Sequence, residues 1–146
     1  MNQKIIVNTD GGAIGNPGPS GIGIVINIAG KIKEYSESIG EGTNNQAEYK
    51  AVIFALKKIK SLIGKNKIKD AEVEIFADSQ LIVNQLEGKY KIMEDDLKIL
   101  FVDAWNLKIG FKNVSLNYIP REQNKKADKL VKEAFAKFSS SGNKLF

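Results

Sequence analysis

No histidine and no cysteine occurs anywhere in the 146 residues. The first absence removes the usual general base at neutral pH. The second removes disulfides, thiolate zinc sites and thiol nucleophiles. No apolar run approaches the roughly 20 residues needed to cross a bilayer, so no membrane partner is expected. The opening stretch MNQKIIVNTD lacks a signal-peptide pattern, and a cytoplasmic location is the resulting expectation. Internal repeats, low-complexity tracts and interdomain linkers are missing as well. With 42% apolar and 27% charged residues, the composition is that of one globular domain. The expected division is a single domain over 1–138 and a frayed tail over 139–146, with Leu145 and Phe146 able to dock it. A monomer is expected.

What is present is charge. The net charge is +5 and the pI about 9.3. Residues 57–69 hold six lysines and no acid, and residues 108–146 hold nine Lys/Arg against three acids. This suits a polyanionic partner, although each cluster alone reads equally as solvated surface.

Residues 4–9 alternate polar and apolar and read as a strand, followed by a Gly/Pro turn, GGAIGNPGPSG. GIGIVINI and KIKEYSESI then read as two further strands joined at Ala29-Gly30, which makes an antiparallel meander. Residues 44–63 carry apolar residues at helical spacing, with Thr43 or Asn44 as N-cap. EVEIFA is a strand, SQLIVNQLE a short helix, 95–107 a helix, NVSLNYI a strand and 123–138 the last helix. The expected fold is a mixed α/β sheet whose later strands return through helical crossovers and pair in parallel.

Four acids occupy matching places in this outline. Asp10 closes the first strand, with Gly11 and Gly12 behind it to let the backbone turn and approach a bulky ligand. Asp78 closes EVEIFA, and sites in such sheets collect at strand C-terminal ends. Glu48 heads the apolar stripe Val52, Ala55, Ile59 and Leu62. Asp128 heads Val131, Phe135 and Phe138 in the same way. A carboxylate on a core-facing stripe is costly unless paired or metal-bound. Each acid has an ordinary alternative: dipole complementation for the two helices, a hairpin turn for Asp10 and an N-cap for Asp78. Together they make coincidence a poor explanation. Four gathered carboxylates repel unless hard cations neutralise them. All-oxygen sites suit Mg²⁺ or Mn²⁺, and paired divalent ions are one way to cut phosphodiesters.

Four segments, in order, resemble the ribonuclease H type 1 family: TDGGAIGNPGPSGIG, TNNQAE, ADSQLIVNQL and REQNKKADKLVKEA. The resemblance covers roughly residues 4–138 and is to the short archaeal and bacterial form. It implies a ribonuclease H-like fold, a five-stranded mixed sheet flanked by helices. It also implies endonucleolytic cleavage of the RNA strand of RNA/DNA hybrids, leaving 5′-phosphate and 3′-hydroxyl ends. By the same resemblance Asp10, Glu48, Asp78 and Asp128 are the catalytic, metal-binding acids. They would hold two Mg²⁺ ions, with Mn²⁺ as a substitute; Asp10, because it sits at the central strand end, is the expected shared ligand. Asn16, Asn44, Asn45 and Gln80 match positions that contact the hybrid in its minor groove. Thr43 matches a phosphate contact on the DNA side. Gly11 and Ser79 are neighbouring contacts. The local alternatives are a turn residue for Asn16 and helix capping for Thr43, Asn44 and Asn45.

The chain departs from the family pattern twice. Many members carry a His in the loop before the fourth acid. Here Arg121 lies in that loop, able to supply charge to a phosphate but not to shuttle protons near neutrality; a surface salt bridge is its alternative. Some members also insert a Trp- and Lys-rich handle where this chain has only EGKYKIMEDDL. Lys89, Tyr90 and Lys91 there read as a residual hybrid contact or as a surface turn with Tyr90 packed on the domain. Trp105, at helical spacing from Phe101, reads as core. The rival functions are a non-catalytic hybrid-binding module, separated by metal-dependent cleavage, and a DNA-cutting relative such as a resolvase or integrase core, separated by a DNA-only duplex. An actin-like ATP-binding protein would need a second domain for which 146 residues leave no room.

Overall fold

A computed structural model describes residues 3–144, with side chains as far as Lys137. Period-two alternation builds its central strand: Ile5, Val7 and Thr9 are buried on one face of β1 (Gln3–Ala13). β2 (Gly18–Ile28) and β3 (Lys31–Gly42) complete the antiparallel meander, while β4 (Ala71–Ala77) and β5 (Asn113–Tyr118) add in parallel. The strand order is β3-β2-β1-β4-β5, the five-stranded mixed sheet expected. Gly11 and Gly12 belong to the β1–β2 ladder, opposite Ile22 and Gly21, so the reversal comes later than the Gly-Gly pair suggests and Asp10 does not end its strand.

Helices cover both faces. α1 (Asn44–Ile63) starts at Thr43, whose hydroxyl accepts from the Gln46 N–H while the Gln46 side chain accepts from the Thr43 N–H. This reciprocal cap stabilises the first turn by roughly 1 kcal/mol. α1 lays Tyr49, Val52, Leu56 and Ile59 onto Ile5, Val7, Ile24 and Ile26. α2 (Gln80–Leu86) is capped by Ser79 rather than Asp78. It is tied to α1 by the buried Tyr49 hydroxyl, which donates to Gln85 Oε1 over 2.7 Å. α3 (Asp95–Ile109) packs on α1.

α4 (Lys125–Lys144) lies across β1, β2 and β3 on the other face. The Ser36 hydroxyl anchors it by donating to the Leu130 carbonyl at 2.6 Å. It begins after a 3₁₀ turn at Arg121–Gln123 and continues past residue 138 to Lys144. The side chain of Phe138 and any docking of Leu145 and Phe146 lie outside the described residues.

Two aromatic expectations fail. Trp105 is on the surface, stacked on Phe101 with ring centroids 6.0 Å apart. α3 reaches the core through Leu97, Leu100 and Ala104, which leaves Trp105 round the side. Tyr90 is half exposed in the turn after α2 instead of packed. Among the described residues no helix is long and apolar enough to cross a membrane.

Candidate active site

The parallel register of β1 and β4 ends at Thr9 opposite Ala77. The next residues are Asp10 and Asp78. Two carboxylates therefore emerge side by side where the pairing stops, although β1 itself runs on beside β2.

Glu48 reaches them because α1 sits unusually close to β1. A Cβ built on Gly11 would lie 2.4 Å from the carbonyl carbon of Ala47. Only glycine permits that approach, and the residue after Ala47 is Glu48. The Gly11 N–H donates to Asp10 Oδ1 at 2.9 Å and also to Glu48 Oε1, so one amide orients two acids. Gly11→Ala is expected to push α1 away, costing about 2–3 kcal/mol of stability and the alignment of Glu48. Thermal melting together with a turnover assay checks both.

The opposite face uses the same device. Gly23 pairs with Asp10, and a Cβ there would lie 2.2 Å from the Ala127 carbonyl oxygen. α4 thus descends onto the sheet beside Asp10, bringing Asp128. Its Oδ2 accepts from Lys132 Nζ at 3.0 Å.

Asp10, Glu48 and Asp78 each offer an oxygen within 4.8 Å of the others. Asp128 is outside this trio but lines the same cleft. Burial is the largest cause acting on each of the three and raises them all. Asp10 is pushed up to about 6, with Asp78 and Asp128 adding repulsion and its bonds to Glu48 and Gly11 opposing. Glu48, almost fully buried, is driven well above its ordinary range by desolvation and then by Asp10. Asp78 rises by burial, against hydrogen bonding from Asn124 and the charge of Arg121. Three crowded carboxylates that resist ionising are an arrangement a hard divalent cation would relieve. All-oxygen donors at these separations, two of them buried and one half-buried, fit such an ion.

The other predicted residues fall in two groups. Gly11, Asn44, Asn45, Ser79 and Arg121 line the acidic cleft. Asn16 and Thr43 line a second, adjoining cleft, and Asn44 and Asn45 take part in both. The Asn16 side chain accepts from the Asn44 N–H at 2.9 Å, and the Asn44 side chain accepts from the Ala13 N–H at 2.8 Å. Both amide oxygens thereby hold the β1–β2 loop onto α1, leaving the NH₂ groups as donors for a ligand. Gln80 is exposed at the start of α2 and lines neither cleft.

Asn124, to which the sequence reading assigned no role, is buried at the centre of the site. Its Nδ2 donates to the Thr9 carbonyl at 2.9 Å and reaches Asp78 Oδ2 at 3.5 Å, and its Oδ1 accepts from Asn8 at 3.0 Å. The available signal was an amide placed four residues before an acid at a helix start.

A family model described as reverse transcriptase-like matches residues 8–134. A ribonuclease HI of Halobacterium salinarum is 39% identical over 127 residues, covering 86% of this chain and 61% of that protein. A bifunctional protein of Mycobacterium tuberculosis is 35% identical over 135 residues, covering 90% of this chain and 35% of that protein. The chain thus spans only part of the length of both relatives. Among solved structures, LC11-RNase H1 in complex with an RNA/DNA hybrid is 47% identical with a TM-score of 0.84, over 91% of this chain and 97% of that one. RNase H1 of Halobacterium salinarum is 36% identical with a TM-score of 0.83, over 92% and 98%.

Proposed function

The chain belongs to the ribonuclease H type 1 family, and from that premise we propose that it is an endonuclease that hydrolyses the RNA strand of RNA/DNA hybrids. The observation that carries this reading is the trio of buried Asp10, buried Glu48 and half-buried Asp78, opening into a cleft lined by Asn44, Asn45, Arg121 and Asp128. The trio would hold one divalent ion, Mg²⁺ or Mn²⁺, and Asp128 would contribute to a second position with Asp10 shared between them. Divalent ions so held supply activation of a water and stabilisation of the departing oxygen. Water adds in line to phosphorus and the P–O3′ bond breaks, which leaves a 5′-phosphate and a 3′-hydroxyl.

The protein's own groups do the rest. The Gly11 N–H orients Asp10 and Glu48. Asn124 holds Asp78 against the end of β1. The amides of Asn16, Asn44, Asn45 and Gln80 are suited to the 2′-hydroxyls of an A-like minor groove, and Thr43 to a phosphate of the DNA strand. The positive net charge supports a polyanionic substrate bound with a salt-dependent affinity.

Arg121 lines the cleft, and its charge opposes the rise in the Asp78 pKa. Arg121→Ala is expected to lower kcat about tenfold, roughly 1.4 kcal/mol, with KM changed less than threefold. A variant that weakened KM alone would make Arg121 a binding residue only. The function itself is tested with a 5′-labelled RNA strand annealed to DNA, with Mg²⁺, with Mn²⁺ and with chelator. Metal-dependent internal cuts, absent from a DNA-only duplex, support it. Hybrid binding without cutting under any metal would replace it with the binding-module reading.

A further inference from the structure

The second cleft holds hydrogen-bond donors, one anion and no cation. Asn16, Thr43, Asn44, Asn45 and Glu94 line it. The side-chain oxygens of Asn16 and Asn44 are engaged by backbone amides at 2.9 and 2.8 Å, so their NH₂ groups remain as donors. The Thr43 hydroxyl accepts from the Gln46 N–H at 3.1 Å and keeps its proton for an acceptor outside the protein. The N-terminus of the 20-residue helix α1 adds the positive end of its dipole. Such a cleft suits a phosphate oxygen, yet no lysine or arginine lines it. The acidic cleft beside it has both Arg121 and Lys132.

Glu94 is held at this cleft by a link between two helices. Gln46 accepts from the Thr43 N–H at 2.9 Å and donates from Nε2 to Asp96 at 2.7 Å. One side chain thus ties the first turn of α3 to the cap of α1. The acids next to Glu94 are engaged, Asp96 by Gln46 and Asp95 by Lys98 at 3.1 Å. Glu94 itself precedes α3 without a side-chain cap bond, and among the described residues no ion pair engages it. A phosphate entering the cleft therefore meets a carboxylate that the protein has not neutralised. Two like charges about 4 Å apart lower affinity roughly fivefold in water, and more where solvent is displaced.

We propose that Glu94 is an electrostatic brake on substrate binding, opposing the DNA-strand phosphate that seats at Thr43. The proposal rests on the hybrid reading above and concerns how tightly the hybrid is held, not how it is cut. Amide donors and a hydroxyl grip the phosphate, and Glu94 sets the limit on that grip.

The test is a fluorescence-anisotropy titration of the whole chain with a labelled hybrid, in chelator. At about 50 mM salt Glu94→Gln should bind roughly fivefold tighter than wild type, and Glu94→Lys tighter again. The advantage should shrink below about twofold near 0.5 M salt, where screening is short-ranged. Asp103→Asn removes the same charge from an exposed site on α3 that lines neither cleft, and should change affinity by less than about twofold. Neutral methylphosphonates placed singly along the DNA strand locate the contact: the advantage of Glu94→Gln should vanish at one position and persist at the others. In turnover with Mg²⁺, KM should fall by the same factor while kcat stays within about twofold.

Equal affinities for wild type and Glu94→Gln, equal tightening by Asp103→Asn, or an advantage indifferent to every methylphosphonate would each overturn the proposal. Weaker binding by both Glu94 variants would overturn it in favour of a carboxylate that accepts from a ribose hydroxyl. A lower melting temperature with unchanged affinity would reduce Glu94 to a partner of the α1 dipole. Wild type that bound no hybrid at all would overturn the substrate reading itself, a result distinct from any of these.

Discussion

Asp10→Asn is expected to lower kcat for hybrid cleavage by about 10³–10⁴-fold, roughly 4–5.5 kcal/mol of transition-state stabilisation. The amide keeps the shape of the carboxylate and can still accept from the Gly11 N–H, so the local fold survives. It loses the charge that a cation held with Glu48 and Asp78, and a second held with Asp128, would require of it. Hybrid affinity should change less than about threefold, because the binding surface lies in the amides and the basic exterior. Single-turnover cleavage beside a fluorescence-anisotropy titration separates the two effects. Retention of more than a tenth of wild-type turnover would remove Asp10 from the centre of the mechanism. Equal losses in binding and turnover would make it a structural residue.

The second large effect concerns stability. Burial lifts Asp10 from an ordinary 3.8 to about 6, and Glu48 and Asp78 move the same way. Between these values the folded protein holds a proton that the unfolded chain has released. Protonation therefore favours the fold: the penalty is absent below about pH 4 and grows as pH rises through about 6. For Asp10 it amounts to something on the order of 3 kcal/mol at neutral pH. Asp10→Asn carries no such penalty. In chelator, the variant and wild type should melt alike near pH 4, and the variant should melt roughly 6–12 °C higher near pH 7.5. Millimolar Mg²⁺ should close most of that gap by stabilising wild type alone. Differences between the two proteins cancel pH effects that arise outside the site. A gap that did not widen with pH, or that Mg²⁺ left unchanged, would mean that the trio is not a strained cation site.

Both effects trace to a cluster whose members could be named from the chain but whose grouping could not. Asp10 and Asp78 were legible because each follows an alternating apolar strand. Glu48 and Asp128 were legible because each heads an apolar helical stripe. Nothing in those patterns separates Asp128 from the other three, yet it stands apart with Lys132 while the trio closes up. The register of β1 against β4 and the height of α1 over Gly11 decide that. Asn124 was missed for a related reason. A polar residue before a helix reads as a cap, and its bonds to Asn8, Thr9 and Asp78 link positions more than 40 residues away in the chain.

Trp105 shows the converse limit. Helical spacing from Phe101 says that two residues share a side of α3, not which side the protein covers. With apolar residues all round the helix, periodicity carries no information about direction. Gly11 and Gly12 mislead in a similar way: glycine pairs usually mark turns, but here they continue a ladder, and Gly11 exists to admit α1.

Local patterning by itself determined the element types, the sheet class, a capped start of α1 at Thr43 or Asn44 and the four acids, because each depends on side-chain period and on residues within a few positions of one another. Tertiary structure alone decided which three acids share a site, which amide orients two of them, how Asn124 braces Asp78 and which side of α3 meets water. Those outcomes depend on contacts between distant segments at ångström separations, and a one-dimensional period cannot encode them.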